Sequence, residues 1–439
     1  MAAEPSAPLG DVGRGERIYL LGQLADGAPV VALREGVGAL PPAAAACVSC
    51  HRPSGRGGAE GGILAPPIAA PALFSPGSPP IDHPRLRRQW LRHQQRSAYD
   101  DATLARALSA GIDPDGQPLG AVMPRYRLST QSQADLAAYL HRLGSVPSPG
   151  LRQGVLHLAT VFTPDAPLQR RATVREAMRR WSDGLSFGPV AVRWHAWTLQ
   201  GPRATWGRQL EALAQRQPVF ALVSGAGGAD WAPVDDWCEA RRLPCLLPSV
   251  DDVPDRPARH WAMHLSAGTT GETGMLVQRL AASPRQPVLQ VCDGLAGTAA
   301  AARLQSLLAA AGVKVRTLAA STATMPPLTP ADGPPTLVLW LPAAQATAWL
   351  SRHPPVPGAQ LLLSAQLAPP AQVVVPPAWR GRVLWASQRA DPLRQQAGAA
   401  LSLLPWSQRL GLQLPADSPD LADVHAATFF FADALAQSR

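Results

Sequence analysis

Cys47-Val-Ser-Cys50-His51 constrains this chain more tightly than any other stretch of its sequence. Cys-x-x-Cys-His is the pattern at which a c-type haem is joined to protein through two thioether bonds. Two intervening residues let both sulfurs reach the two vinyl groups, and the adjacent histidine then faces the iron. A redox Cys-x-x-Cys or half of a zinc site would share the cysteines. However, no second cysteine pair lies nearby, no thioredoxin-like strand–helix pattern surrounds the motif, and a histidine follows directly. The expectation is one covalent haem c, bound through Cys47 and Cys50, with His51 as an axial iron ligand.

A sixth ligand should come from the same part of the chain. Apart from Met1, the only methionine in the first third is Met123, within Gly120-Ala-Val-Met-Pro-Arg-Tyr126. His/Met ligation raises a haem's potential and suits electron transfer. The competing candidates are His83, His93, His141 and an open position. His93 and His141 sit in helical stretches among polar neighbours, and His83 precedes Pro84 in a turn. Methionine otherwise serves mainly as core filler, and this one lies in a loop, so Met123 is the expected ligand, with Tyr126 beside the cofactor.

At 439 residues the chain is long enough for two or three domains. Residues 12–145 read as one helical unit, with a short helix from Gly15 to Tyr19, a hairpin in 25–40, and a Pro- and Gly-rich loop over 60–82. Helical periodicity follows in 85–95, 102–110 and 131–143, the last with Leu136, Tyr139, Leu140 and Leu143 on one side. Gly144-Ser-Val-Pro-Ser-Pro-Gly150 then punctuates the chain, making 146–153 a linker. From 154 to 439 strands and helices alternate, which argues parallel sheets in about two halves. Strands are expected at 155–162, 189–195, 218–224, 244–247, 286–292, 313–319, 336–341, 359–364 and 381–386.

Residues 12–145 resemble a class I cytochrome c domain. The matching elements are Gly15 and Tyr19, the haem motif, the Gly-rich 55–62, Pro66-Pro67-Ile68, Met123-Pro124, and the closing helix with Leu136, Tyr139 and Leu140. The resemblance implies an all-α domain whose first and last helices cross, so that Gly15 meets Tyr139. It also implies that the carbonyl of Pro66 or Pro67 fixes the proximal imidazole. The 25–40 insertion departs from the minimal pattern.

Residues 154–436 resemble the type I periplasmic solute-binding domain of branched-chain amino acid transporters. The carrying stretches are Pro218–Gly225, Leu243–Pro248, His264–Gly271, Pro287–Gly294, Thr336–Leu341 and Gly358–Ser364. The likeness implies a two-lobed α/β domain closing on a small solute. Ser224, Gly225, Ser266, Thr269 and Thr270 fall where an amino acid carboxylate would be held, and Asp293 could meet an ammonium. Tight turns made by small residues are the alternative. Two departures are the first loop, Phe162-Thr-Pro-Asp-Ala-Pro, which lacks the family's glycine-rich opening, and the stop soon after Phe429-Phe-Phe. Cys238 and Cys245 flank a helix-to-strand turn and would form a disulfide outside the cytoplasm, two buried thiols being the alternative; Cys292 is left over.

The formal charge of +9 invites a nucleic-acid reading, but the arginines are thinly spread and no binding motif is present. A basic face steering toward an acidic redox partner fits better. No apolar run is long enough to span a membrane. Because haem attachment to this motif occurs outside the bacterial cytoplasm, the expectation is a periplasmic protein whose signal peptide was removed, with a non-native Met1. No catalytic motif stands out; Asp235-Asp236 and Asp251-Asp252 read as solvated or core pairs, and His195, His260 and His264 show no metal-binding spacing. Three functional readings follow. The leading one is an electron carrier whose second domain docks a periplasmic dehydrogenase, such as a quinoprotein, or another cytochrome. The others are a haem-linked solute receptor and a haem enzyme with an open iron.

Overall fold

The computed structural model describes residues 9–60, 63–77, 96–145, 148–253, 260–282, 288–320, 335–389, 398–413 and 418–437. The expected 85–95 helix, His83 and His93 lie outside them. The chain divides into two compact units, Met1–Pro147 and Ser148–Arg439.

The first unit is framed by helices. Helix α1 (Val12–Leu21) starts at Asp11, whose carboxylate accepts from the Arg14 amide, and ends at Gly22 in the left-handed region. It crosses a helix at the far end of the unit, Thr130–Arg142, capped by Ser129. The crossing is close because Gly15 has no side chain: a Cβ there would lie 2.0 Å from the carbonyl oxygen of Asp135. Arg14 and the buried Asp135 pair at 2.8 Å across it, and the Tyr19 and Tyr139 rings meet at 5.2 Å. Ile18, Leu73, Leu104, Leu108, Leu136 and Leu140 complete the core around Cys47.

Two small antiparallel sheets are added to this frame. The 25–40 insertion supplies β1 (Val31–Arg34) and β2 (Gly38–Ala39). The loop expected over 60–82 begins in β3 (Gly58–Glu60) and β4 (Ile63–Ala65), which pair with each other. A fifth strand, β5 (Arg125–Arg127), pairs with β1. Strands of two to four residues are too short to show a period-2 pattern in sequence.

The second unit holds two sheets. In the first, β6 (Leu151–Arg152), β7 (Val155–Phe162), β8 (Ser186–Phe187), β9 (Val190–Thr198), β10 (Ala221–Ala226), β11 (Cys245–Leu246) and β12 (Ala262–Met263) are ordered β12-β11-β10-β7-β9-β8, with β6 on β7. The central strands are parallel; β6 and β8 are antiparallel additions. Helices 168–182 and 419–437 bury one face, and helices 206–216 and 232–241 bury the other. The second sheet, β13 (Val288–Cys292), β14 (Val315–Ala319), β15 (Thr336–Trp340), β16 (Gln360–Ser364) and β17 (Val383–Ala386), is wholly parallel in the order β14-β13-β15-β16-β17. Near-continuous apolar strands such as Leu337–Trp340 fit a sheet covered on both faces. The chain passes from the first lobe to the second at 264–268 and returns after β17.

Candidate haem site and inter-lobe cleft

The motif cysteines and histidine lie on one turn of helix, Val48–His51, with Cys47 at its N-cap. Cys47 is buried, Cys50 is exposed, and neither is in a disulfide. The turn is tied down at its end, where the Tyr19 hydroxyl donates to the Arg52 carbonyl at 2.7 Å. His51 is buried, and its Nδ1 lies 2.9 Å from the carbonyl oxygen of Pro66. A carbonyl only accepts, so Nδ1 carries the proton and Nε2 keeps its lone pair for a metal. Burial lowers the imidazole's pKa, against the opposing pull of the Pro66 bond, and so favours the neutral ring that an iron ligand requires. Of the two prolines left open by the sequence, Pro66 supplies this carbonyl and Pro67 does not. Gly57 makes the approach feasible: it has φ +68, and a Cβ there would meet the Ala65 oxygen at 2.0 Å.

Met123 closes a turn, its amide donating to the Gly120 carbonyl at 3.0 Å. Its half-buried side chain packs on the core cluster that contains Cys47 and Tyr126. The Tyr126 hydroxyl donates to the Ala45 carbonyl at 3.0 Å, two residues ahead of Cys47. His141, by contrast, is half exposed, pairs with Asp101 at 3.1 Å and stacks on Phe74, so it faces the surface. Two unbridged cysteines at the required spacing, a buried imidazole oriented through Nδ1, and a thioether in the same core fit haem c.

In the second unit, β10 breaks register between Leu222 and Gly225, and Ser224 sits there at φ +59. Its buried hydroxyl has no hydrogen-bond partner among the described residues, and the same holds for Trp231 Nε1. The Trp231 ring fills the space over Gly225 and Gly227, where a Cβ would meet it at 2.6 and 2.4 Å. Ser266 Oγ accepts from the Gly268 amide at 3.1 Å. Thr269 and Thr270, at the start of helix 269–281, both donate to Asp252 Oδ1 at 2.8 Å. Asp252 also pairs with Arg303 of the second lobe at 2.9 Å. The threonines therefore already hold a carboxylate, the chain's own. Asp293 is exposed and accepts from Gln345 at 2.7 Å, with no bond to the other five candidates. Asp251 is likewise buried, paired with Arg170 at 2.8 Å. Of the solvated and core roles left open for this pair, both aspartates take the core one. Cys238 and Cys245 form a disulfide joining helix 232–241 to β11.

The family model for cytochrome c matches residues 42–144. Residues 42–144 are a cytochrome c domain. Such domains carry covalently bound haem c and transfer electrons, and they acquire the haem outside the cytoplasm. No curated protein matches the chain. Among solved structures, the chain is similar to a branched chain amino acid ABC transporter from Thermus thermophilus with bound valine, at 14% identity and a TM-score of 0.46, over 66% of this chain and 80% of that one. It is also similar to a solute binding protein of an ABC transporter from Rhodopseudomonas palustris BisB5 in complex with 3,4-dihydroxy benzoic acid, at 11% identity and a TM-score of 0.44, over 64% and 81%. A third is an extracellular ligand-binding receptor from Rhodopseudomonas palustris HaA2, at 12% identity and a TM-score of 0.42, over 62% and 80%.

Sequence reasoning did not single out Arg125, which donates to the Met123 carbonyl, nor Arg303, the partner of Asp252. Asp252 and Arg303 meet across the lobes at a sequence separation of 51. Among the described residues no helix is long and apolar enough to cross a membrane, and no cluster of three metal-ligating side chains is present.

Proposed function

We propose that this protein is a periplasmic electron carrier with one haem c, and that its second unit docks the redox partner. The observation that carries the reading is the His51–Pro66 hydrogen bond, set in a cytochrome c domain whose core also holds Met123. When bound, the haem supplies a one-electron ferric/ferrous couple. The chain's own residues do the rest. Cys47 and Cys50 would anchor the group, and His51, fixed through Nδ1 by the Pro66 carbonyl, would offer its Nε2 to the iron. Met123 would supply the second ligand, a thioether sulfur, which favours the ferrous state and suits electron transfer.

Docking is favoured for the second unit because Thr269 and Thr270 are occupied by Asp252 and Trp231 covers the glycine turn of β10. The partner class is a periplasmic dehydrogenase, such as a quinoprotein, or a cytochrome. Mixing the ferric protein with such donors and following haem reduction by stopped flow tests this. Salt-sensitive second-order reduction is expected; reduction by none of them would contradict the docking role.

A second reading, a haem-linked solute receptor, is favoured by two buried polar groups without partners among the described residues, Ser224 Oγ near the C-terminal end of β10 and Trp231 Nε1 beyond it, where open α/β sheets bind ligands. It requires that a small solute raise the thermal midpoint or shift the haem potential.

A further inference from the structure

We propose that Arg125 is a positioning residue for Met123, holding the axial sulfur over the iron from the strand that begins at Arg125 itself. The inference rests on Met123 being the ligand.

The turn that carries Met123 has little to fix it. Gly120, Ala121 and Val122 are exposed, and Met123 is only half-buried. Two restraints follow immediately in sequence. The Arg125 guanidinium reaches back over the turn, Nη1 donating to the Met123 carbonyl at 2.6 Å and Nη2 to the Leu119 carbonyl at 3.4 Å. It is seated on Gly111, the left-handed residue ending helix 101–110, where a Cβ would lie 2.0 Å from its Cζ. Only the absence of a side chain there makes room for it. The second restraint is β5, which pairs residue by residue with β1: Leu33 with Arg125, Ala32 with Tyr126 and Val31 with Arg127. Because the Tyr126 hydroxyl bonds Ala45, this strand also ties the methionine turn to the segment that attaches the haem. The 25–40 insertion thus has a role, as the strand that β5 leans on.

A thioether is a weak ligand, displaced whenever its loop swings away. A loop held in place keeps the sulfur at high effective concentration beside the iron, so an external base competes poorly. The experiment is an imidazole titration of the ferric holoprotein and of its R125A, R125K and M123A variants, read from the Soret shift and from the far-red band of sulfur-ligated ferric haem. R125A should bind imidazole about tenfold more tightly than the parent, the size of losing one charge-assisted hydrogen bond. R125K should fall between, because a single ammonium cannot span both carbonyls; if R125A does not fold, R125K decides. M123A should lack the far-red band and bind most tightly. Parent-like affinity in R125A and R125K, beside a tight M123A, would overturn the positioning role alone. An M123A variant that titrates like the parent would instead remove Met123 as the ligand, and the inference with it.

Discussion

Gly15 and Tyr139 touch at the crossing of the first and last helices of the cytochrome c domain: a Cβ on Gly15 would lie 2.8 Å from that of Tyr139 and 2.0 Å from the Asp135 oxygen. The second obstacle is backbone, which cannot rotate aside. Gly15→Ala should therefore cost roughly 2 kcal/mol or more by overpacking. Gly13→Ala, two residues earlier on the same helix, meets only Asp11 at 3.4 Å and should be neutral or stabilising by about 0.5 kcal/mol, from reduced freedom of the unfolded chain. Denaturant unfolding of the two holoprotein variants checks the pair. Equal stability would mean the helices do not cross as closely as described.

Asp252 holds the lobes of the second unit through Thr269, Thr270 and Arg303. It is buried, and Arg303 is largely so. Asp252→Ala strands a guanidinium and two hydroxyls and should destabilise the second unit by about 3 kcal/mol. Replacing both Asp252 and Arg303 by apolar residues should cost less than Asp252→Ala alone, since no charge is then left unpaired. Urea unfolding followed by tryptophan fluorescence reads both.

The alternation of strands and helices after residue 154 was legible because each buried strand is a short apolar run and each helix carries its own periodicity. The strand expected at 155–162 and the helix at 168–181 lie within a residue of those observed. The cytochrome c domain was legible because its attachment chemistry is local to five residues, Cys47 to His51. What was not legible depends on residues far apart. The pairing of β1 with β5 joins positions more than ninety apart, and nothing near Arg125 announces a grip on Met123. Asp251 and Asp252 were left open between solvated and core roles, because their partners, Arg170 and Arg303, are distant in sequence. Helix 404–409 was missed: Pro405 lies within it, and a proline ordinarily argues against a helix.

Glu272 gives the second unit a pH dependence. Burial pushes its carboxyl up to about 8, against the Ser364 hydroxyl and the backbone N–H of Gln366, which hold it down. The folded chain thus keeps a proton that the unfolded chain, with the ordinary value of 4.5, has released. The stability this group provides is complete below about pH 4.5 and declines as pH rises toward 8, by at most ~1.4 kcal/mol per pH unit. Burial raises Asp423 in the same direction, so the difference between variants isolates Glu272. Glu272→Gln should flatten that part of the profile, as urea midpoints between about pH 5 and 8 would show. An unchanged slope would mean the carboxyl titrates normally.

The most direct measurement of the central claim is the optical spectrum of the ferric and ferrous holoprotein, with and without Met123→Ala. The parent should show a low-spin haem with the weak far-red band of a sulfur-ligated ferric iron, and the variant should lose that band and its low-spin character together. A high-spin ferric spectrum unchanged by Met123→Ala would contradict electron transfer through a closed His51/Met123 site and bring forward an open iron.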